Sequence, residues 1–189
     1  MQHSGIKIAV PATVEDAQIM TWSALQDPNP TIIFEHKKLY RSLRGEKLDN
    51  IPYEELGKAR VHRVGSDVSI ITYGMGVHWA AELADKMQEE RGISVEIVDL
   101  RSLAPLDKEA IISTVRKTGR VLLLQEPSGI MGPMSEIASI IAEGCFDKLD
   151  APVLRCSSLD TPIPTNTQLE QGYLASNRLQ ATFDKLMSF

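Results

Sequence analysis

The 189-residue chain is long enough for one domain with a substantial core, or one domain and part of a second. Hydrophobic residues make up 43% and charged residues 24%, which excludes a disordered chain. A net charge of −5 argues against a broad nucleic-acid-binding surface, and no apolar run approaches the roughly 20 residues that cross a bilayer.

Residues 6–10 (IKIAV) read as a strand. Thr13 is placed to cap a helix from Val14 to about Gln26, and residues 31–34 (TIIF) form a second strand. That βαβ unit is too small to bury its own sheet. Residues 41–66 carry charge, Pro52 and three glycines, Gly45, Gly57 and Gly65, and read as a linker. From there the chain alternates regularly. Residues 68–73 (VSIITY) are a β-branched strand, followed by a helix over 77–90 with Gly92 as its C-cap. Residues 95–100 (VEIVDL) are the next strand. Asp107 caps a helix to about Lys117 with Gly119 behind it. Residues 121–124 (VLLL) are apolar throughout, as in a strand buried on both faces. A helix over 134–146, a strand over 152–156 and one or two helices within 167–187 complete the pattern. The rhythm predicts an α/β fold: a mainly parallel sheet with helices on both faces, preceded by a partial α/β unit. The division is 1–40, a 41–66 linker, and 67–189 as a complete α/β domain.

The two cysteines, Cys145 and Cys156, have no CxxC spacing and no neighbouring histidines. They read as reduced, partly buried thiols in a cytosol-like compartment. The N-terminus shows no basic head followed by an apolar stretch, so no secretory leader is expected.

Three segments carry candidate chemistry. Tyr73-Gly-Met-Gly-Val-His-Trp79 leaves a strand and opens a helix, and Asp99 follows near the end of the next strand. This imitates a dinucleotide fingerprint, but Trp79 stands where the third glycine would let helix and strand approach. A tight turn that needs Gly74 and Gly76 for backbone reasons is favoured. His78, in the first turn of that helix, is a candidate neutral donor or cap. Glu126 lies at a strand's carboxyl end, where sites cluster in such sheets, and a shaped loop at a subunit contact explains it equally. Finally, residues 24–29 (ALQDPN) end a helix before Pro28 and empty into Glu35, His36 and Lys37. The last carbonyls of a helix lack partners and carry its negative pole. Oxygen ligands of this kind suit a hard cation. An Asp/Asn turn shaped by proline accounts for the same residues without an ion.

The segments "GIKIAVP", "NPTIIFEHKKLYR", "GKARVHRVGSDVSIITYGMGVHWAAELA", "ISVEIVDLRSLAPLD", "VRKTGRVLLLQEP" and "DAPVLRCSSLDTPIP" together resemble the beta subunits of thiamine-diphosphate-dependent 2-oxo acid dehydrogenases of branched-chain, pyruvate and acetoin type. The resemblance implies that residues from about 67 form a transketolase C-terminal domain. It also implies that 1–40 match the last βαβ part of a pyrimidine-binding domain. The family's thiamine-activating glutamate and active-site histidine lie upstream of the matched region, so the chain alone is expected to be inactive and to offer no catalytic or thiamine-binding residue. Thiamine diphosphate and magnesium are implied for the parent enzyme only. Potassium is implied at Ala24, Leu25, Asp27 and Asn29. The implied partners are an alpha subunit, a second beta subunit and a dihydrolipoyl acyltransferase core. The implied location is cytoplasmic, or the mitochondrial matrix in a eukaryote. Gly129-Ile-Met-Gly-Pro133 and Ser157-Ser158-Leu159 depart from the family's loop patterns. Glu35, His36 and Lys37 are candidates to line a subunit contact. Two other readings remain: a stand-alone assembly module of the same fold, and a nucleotide-binding α/β domain.

Overall fold

The computed structural model describes residues 3–189. Its larger sheet has five strands: β3 (Arg60–Arg63), β4 (Val68–Thr72), β5 (Val95–Asp99), β7 (Val121–Ser128) and β8 (Leu154–Ser158). Their order is β3-β5-β4-β7-β8, and all neighbours are parallel except β3, which runs antiparallel to β5. Helices α3 (Met75–Arg91) and α7 (Ser176–Met187) cover one face. Helices α4 (Lys108–Thr118) and α5 (Pro133–Cys145) cover the other. The central strands β4 and β5 are buried along their whole length, so Ile70 and Ile97 point into one layer while Ile71 and Val98 point into the other. The expected parallel sheet with helices on both faces is what the chain forms.

The helix ends follow their capping residues. Thr13 accepts a hydrogen bond from the Asp16 amide at 3.0 Å and starts α1 (Val14–Gln26). Asp107 does the same for α4 through the Ala110 amide at 3.1 Å. Gly92 and Gly119 end their helices in left-handed conformations. The closing region 167–187 resolves into two helices, α6 (Thr167–Tyr173) and α7.

Two strands lie outside the expected elements. β3 sits inside the segment expected as a linker and supplies the edge of the large sheet. β6 (Ser102–Ala104) follows β5 closely and pairs antiparallel with β1 (Lys7–Ala9), which itself pairs parallel with β2 (Thr31–Ile33). The small N-terminal sheet, β2-β1-β6, therefore borrows its third strand from the larger unit. A four-residue helix, α2 (Leu39–Ser42), follows β2.

One polar network is buried within the α4 layer. Glu96 on β5 accepts from the Thr114 hydroxyl at 2.6 Å and pairs with Lys117. Ser69 on β4 meets the Thr114 and Thr118 hydroxyls at 2.7 and 2.8 Å. Both cysteines are free and buried.

Candidate functional site at the carboxyl edge of the sheet

Polar contacts join the N-terminal unit, along a seam, to the residues at and just after the carboxyl ends of β4, β5 and β7. At the exit of β2, His36 Nε2 lies 3.0 Å from Glu126 Oε1 on β7. His36 Nδ1 is buried without a partner. At the start of α3, His78 Nε2 lies 2.8 Å from the Ala12 carbonyl oxygen. His78 thus acts as a bridge between the two units.

A buried charge cluster forms the middle of the seam. Asp16, in the first turn of α1, has no exposed side-chain surface. Its Oδ1 lies 2.8 Å from Arg101 Nη2 and 3.1 Å from Arg60 Nη2. The Thr13 hydroxyl donates to its Oδ2 at 3.0 Å. Arg101 also reaches Glu54 at 2.7 Å, and Arg60 reaches Glu15 at 3.0 Å. The Arg101 carbonyl accepts from the Val10 amide at 2.7 Å, and Arg101 itself takes a left-handed φ of 56°. Such a backbone state is sparsely used by non-glycine residues and persists where the surroundings hold it.

Asp99, the last residue of β5, is fully buried. Its Oδ1 accepts from the Arg101 amide at 3.0 Å, and its Oδ2 has no partner. Burial pushes its carboxyl up to about 7, with the Asp16 charge adding to the rise and the Arg101 amide opposing it. Burial also raises the Tyr73 phenol, with Glu126 adding, and lowers His62, with His78 and Arg60 adding.

The Tyr73–Trp79 turn has a backbone explanation. Gly74 adopts φ 56° at the N-cap of α3, and a Cβ on Gly76 would lie 2.1 Å from Thr72 Oγ1. Trp79 is buried in the core. Asp99, the acid a ribose would need, is sealed inside the seam.

The turn at 24–29 is held by Asp27, Asn29 and Lys7 of β1. Asp27 ends α1 and its amide donates to the Ala24 carbonyl at 3.3 Å. Its Oδ2 pairs with Lys7 at 2.5 Å, and its Oδ1 accepts from the Asn29 backbone and side-chain nitrogens at 2.9 and 3.0 Å. The Lys7 hydrogen bond, reinforced by the Asn29 amide, holds the Asp27 carboxyl down at about 2. Leu25 is exposed. Beside this turn, a groove of about 490 Å³ runs along α1 between Trp22, Leu25, His36, Leu39 and Tyr40. Its walls are mostly apolar.

Among the described residues, no three His, Cys, Asp or Glu side chains converge as a metal ion would need. At the 24–29 turn the Asp27 carboxylate is engaged by Lys7 and Asn29, and the Ala24 carbonyl accepts from the Asp27 amide.

The family description "Transketolase, C-terminal domain" matches residues 57–178. The chain belongs to the transketolase C-terminal domain family. Over 187 residues it is 40% identical to the 2-oxoisovalerate dehydrogenase subunit beta of Bacillus subtilis, covering 98% of this chain and 57% of that one. It is 41% identical over 189 residues to the pyruvate dehydrogenase E1 component subunit beta of the same organism, covering 100% of this chain and 58% of the relative. The chain thus spans somewhat over half the length of these curated relatives. Among solved structures it is similar to "Split gene transketolase, inactive beta4 tetramer", with a TM-score of 0.75 and 28% identity over 97% of this chain and 58% of that one. The homologues are beta subunits of 2-oxo acid dehydrogenases, as the motif resemblance implies. The match begins at 57, so β3 falls inside the family domain.

Of the residues singled out in the sequence, His36 pairs with Glu126, His78 with the Ala12 carbonyl, and Asp99 with the Arg101 amide, each at the join of the two units. Ala24, Leu25, Asp27 and Asn29 lie apart from it, at the far end of α1. Asp16 and Arg101 are the seam residues that pattern reading missed. Their signal was present: an acid inside a helix's buried face, and an arginine directly behind a buried strand.

Proposed function

We propose that the chain is the C-terminal part of a 2-oxo acid dehydrogenase beta subunit and serves as framework and assembly surface rather than as the catalytic half. The observation that supports this most is the seam, whose ion pairs, Asp16 with Arg101 and Arg60 and His36 with Glu126, join two structural units. The parent reaction is the decarboxylation of a 2-oxo acid on thiamine diphosphate with acyl transfer to a lipoyl carrier, where the cofactor supplies the carbanion chemistry. We assign residues 1–40 to the end of a pyrimidine-binding domain and the rest, after a connector, to the transketolase C-terminal domain. The partners we assign are an alpha subunit, a second beta subunit and the dihydrolipoyl acyltransferase core. The compartment is the cytoplasm, or the matrix in a eukaryote, consistent with two buried free thiols. The test is calorimetric: the chain alone is expected to take up no thiamine diphosphate.

Within this reading, the carbonyls of Ala24 and Leu25, with oxygens of Asp27 and Asn29, hold a structural potassium ion. Replacing lithium by potassium should then raise the melting temperature of the chain. Equal melting in the two salts, at matched ionic strength, contradicts the ion site.

A further inference from the structure

We propose that Asp99 is a proton-operated latch on the seam, keeping the N-terminal unit closed onto the sheet while neutral and loosening it on ionisation. Three observations carry this. First, Asp99 is buried and, among the described residues, no cation pairs with it: Arg101 turns its Nη2 to Asp16 and Glu54 while its Nε is left buried without a partner, and Arg60 pairs with Asp16 and Glu15. A buried carboxylate without a bound cation is costly, and the neutral acid is the form such a site favours. Second, Asp99 Oδ2 and the hydroxyl of Thr72, its register partner on β4, are both buried and unpartnered. With no donor paired to it, an ionised Oδ2 would leave its charge buried and unanswered, which the neutral acid avoids. Third, Asp99 sits directly before the turn that leads into β6, the strand shared with the N-terminal sheet, so a charge forced on it by ionisation, beside the like charge of Asp16, falls where the two sheets join.

The charged and titratable groups around Asp99 come from each neighbouring element. Asp16 on α1 adds a like charge. Arg101 in the turn and Arg60 on β3 add opposite ones. His62 on β3 and His78 on α3 lie along the same seam, with His62 held low by burial. Glu54 reaches the cluster through Arg101.

The carboxyl has an ordinary value of 3.8 and is raised to about 7 in the folded protein. The folded state therefore holds a proton that the opened state releases. Asp99's contribution to closure is full below 3.8, is lost as pH rises towards about 7, and is flat above that.

The test is amide hydrogen exchange of the full chain, corrected for intrinsic rates, across that pH range in wild type and Asp99→Asn. The ratio of opening equilibria, wild type over variant, should rise by up to about tenfold per pH unit at the β1 and β6 amides and then level off. The β7 amides should show no such trend. A pH-independent ratio overturns the latch, and so does an equal trend in β7, which would make the effect global. If Asp99→Asn does not fold, carbon-13 titration of the wild-type aspartates decides. A buried carboxyl titrating near neutrality supports the latch, and Asp99 fully ionised at pH 5 overturns it.

Discussion

Gly65→Ala should destabilise the protein by about 3 kcal/mol, the upper end of what overpacking costs, seen as a large drop in denaturant midpoint. A Cβ at this position would lie 2.2 Å from both the Glu96 amide nitrogen and the Val95 carbonyl carbon. Both atoms belong to β5, which pairs with β3 on one side and β4 on the other. Neither can retreat without breaking ladder hydrogen bonds, so the clash cannot relax into a side-chain adjustment. Gly92→Ala is the contrast. Gly92 sits at φ +67° with open space around its Cβ direction, so only conformational strain of about 1 kcal/mol applies. Equal costs at the two positions would show that the backbone approach at Gly65 is not the constraint.

Phe183→Ala should cost about 3–5 kcal/mol, or roughly 10–15 °C in melting temperature for a chain of this size. Phe183 is fully buried and belongs to the core layer between α3, α7 and the sheet. Removing the ring leaves a cavity that two packed helices and a sheet fill poorly. The outer contacts of α7 are a different matter. Asp184 meets Arg91 at 2.6 Å, but both side chains are about 40% exposed. Such pairs contribute roughly 0–1 kcal/mol, so Asp184→Ala should change stability little. A small loss for Phe183→Ala would mean that α7 is held by its surface pairs instead.

The large unit was legible in the sequence because its elements carry strong local signals. Val121 to Leu124 is apolar on both faces because β7 is covered on both faces. Thr13, Asp107, Gly92 and Gly119 sit where helix ends need them. The strands that escaped notice lack such signals. β3 (Arg60-Val-His-Arg) is an edge strand in a charged stretch, partly exposed, with no apolar alternation. β6 has three residues and precedes Pro105; only pairing with the distant β1 makes it a strand. Gly65 read as a flexible connector residue, yet its role is close backbone contact. Asp99 invited comparison with a ribose-binding acid, because sequence spacing says nothing about what folds over a strand's end. The seam depends on contacts between α1 and the turn after β5, which no local pattern reports.

Calorimetric titration of thiamine diphosphate with magnesium into the purified chain tests the central claim most directly. If the chain is framework and assembly surface, the titration shows no saturable heat. A saturable isotherm near one site per chain would contradict that account and place a cofactor site within the chain itself.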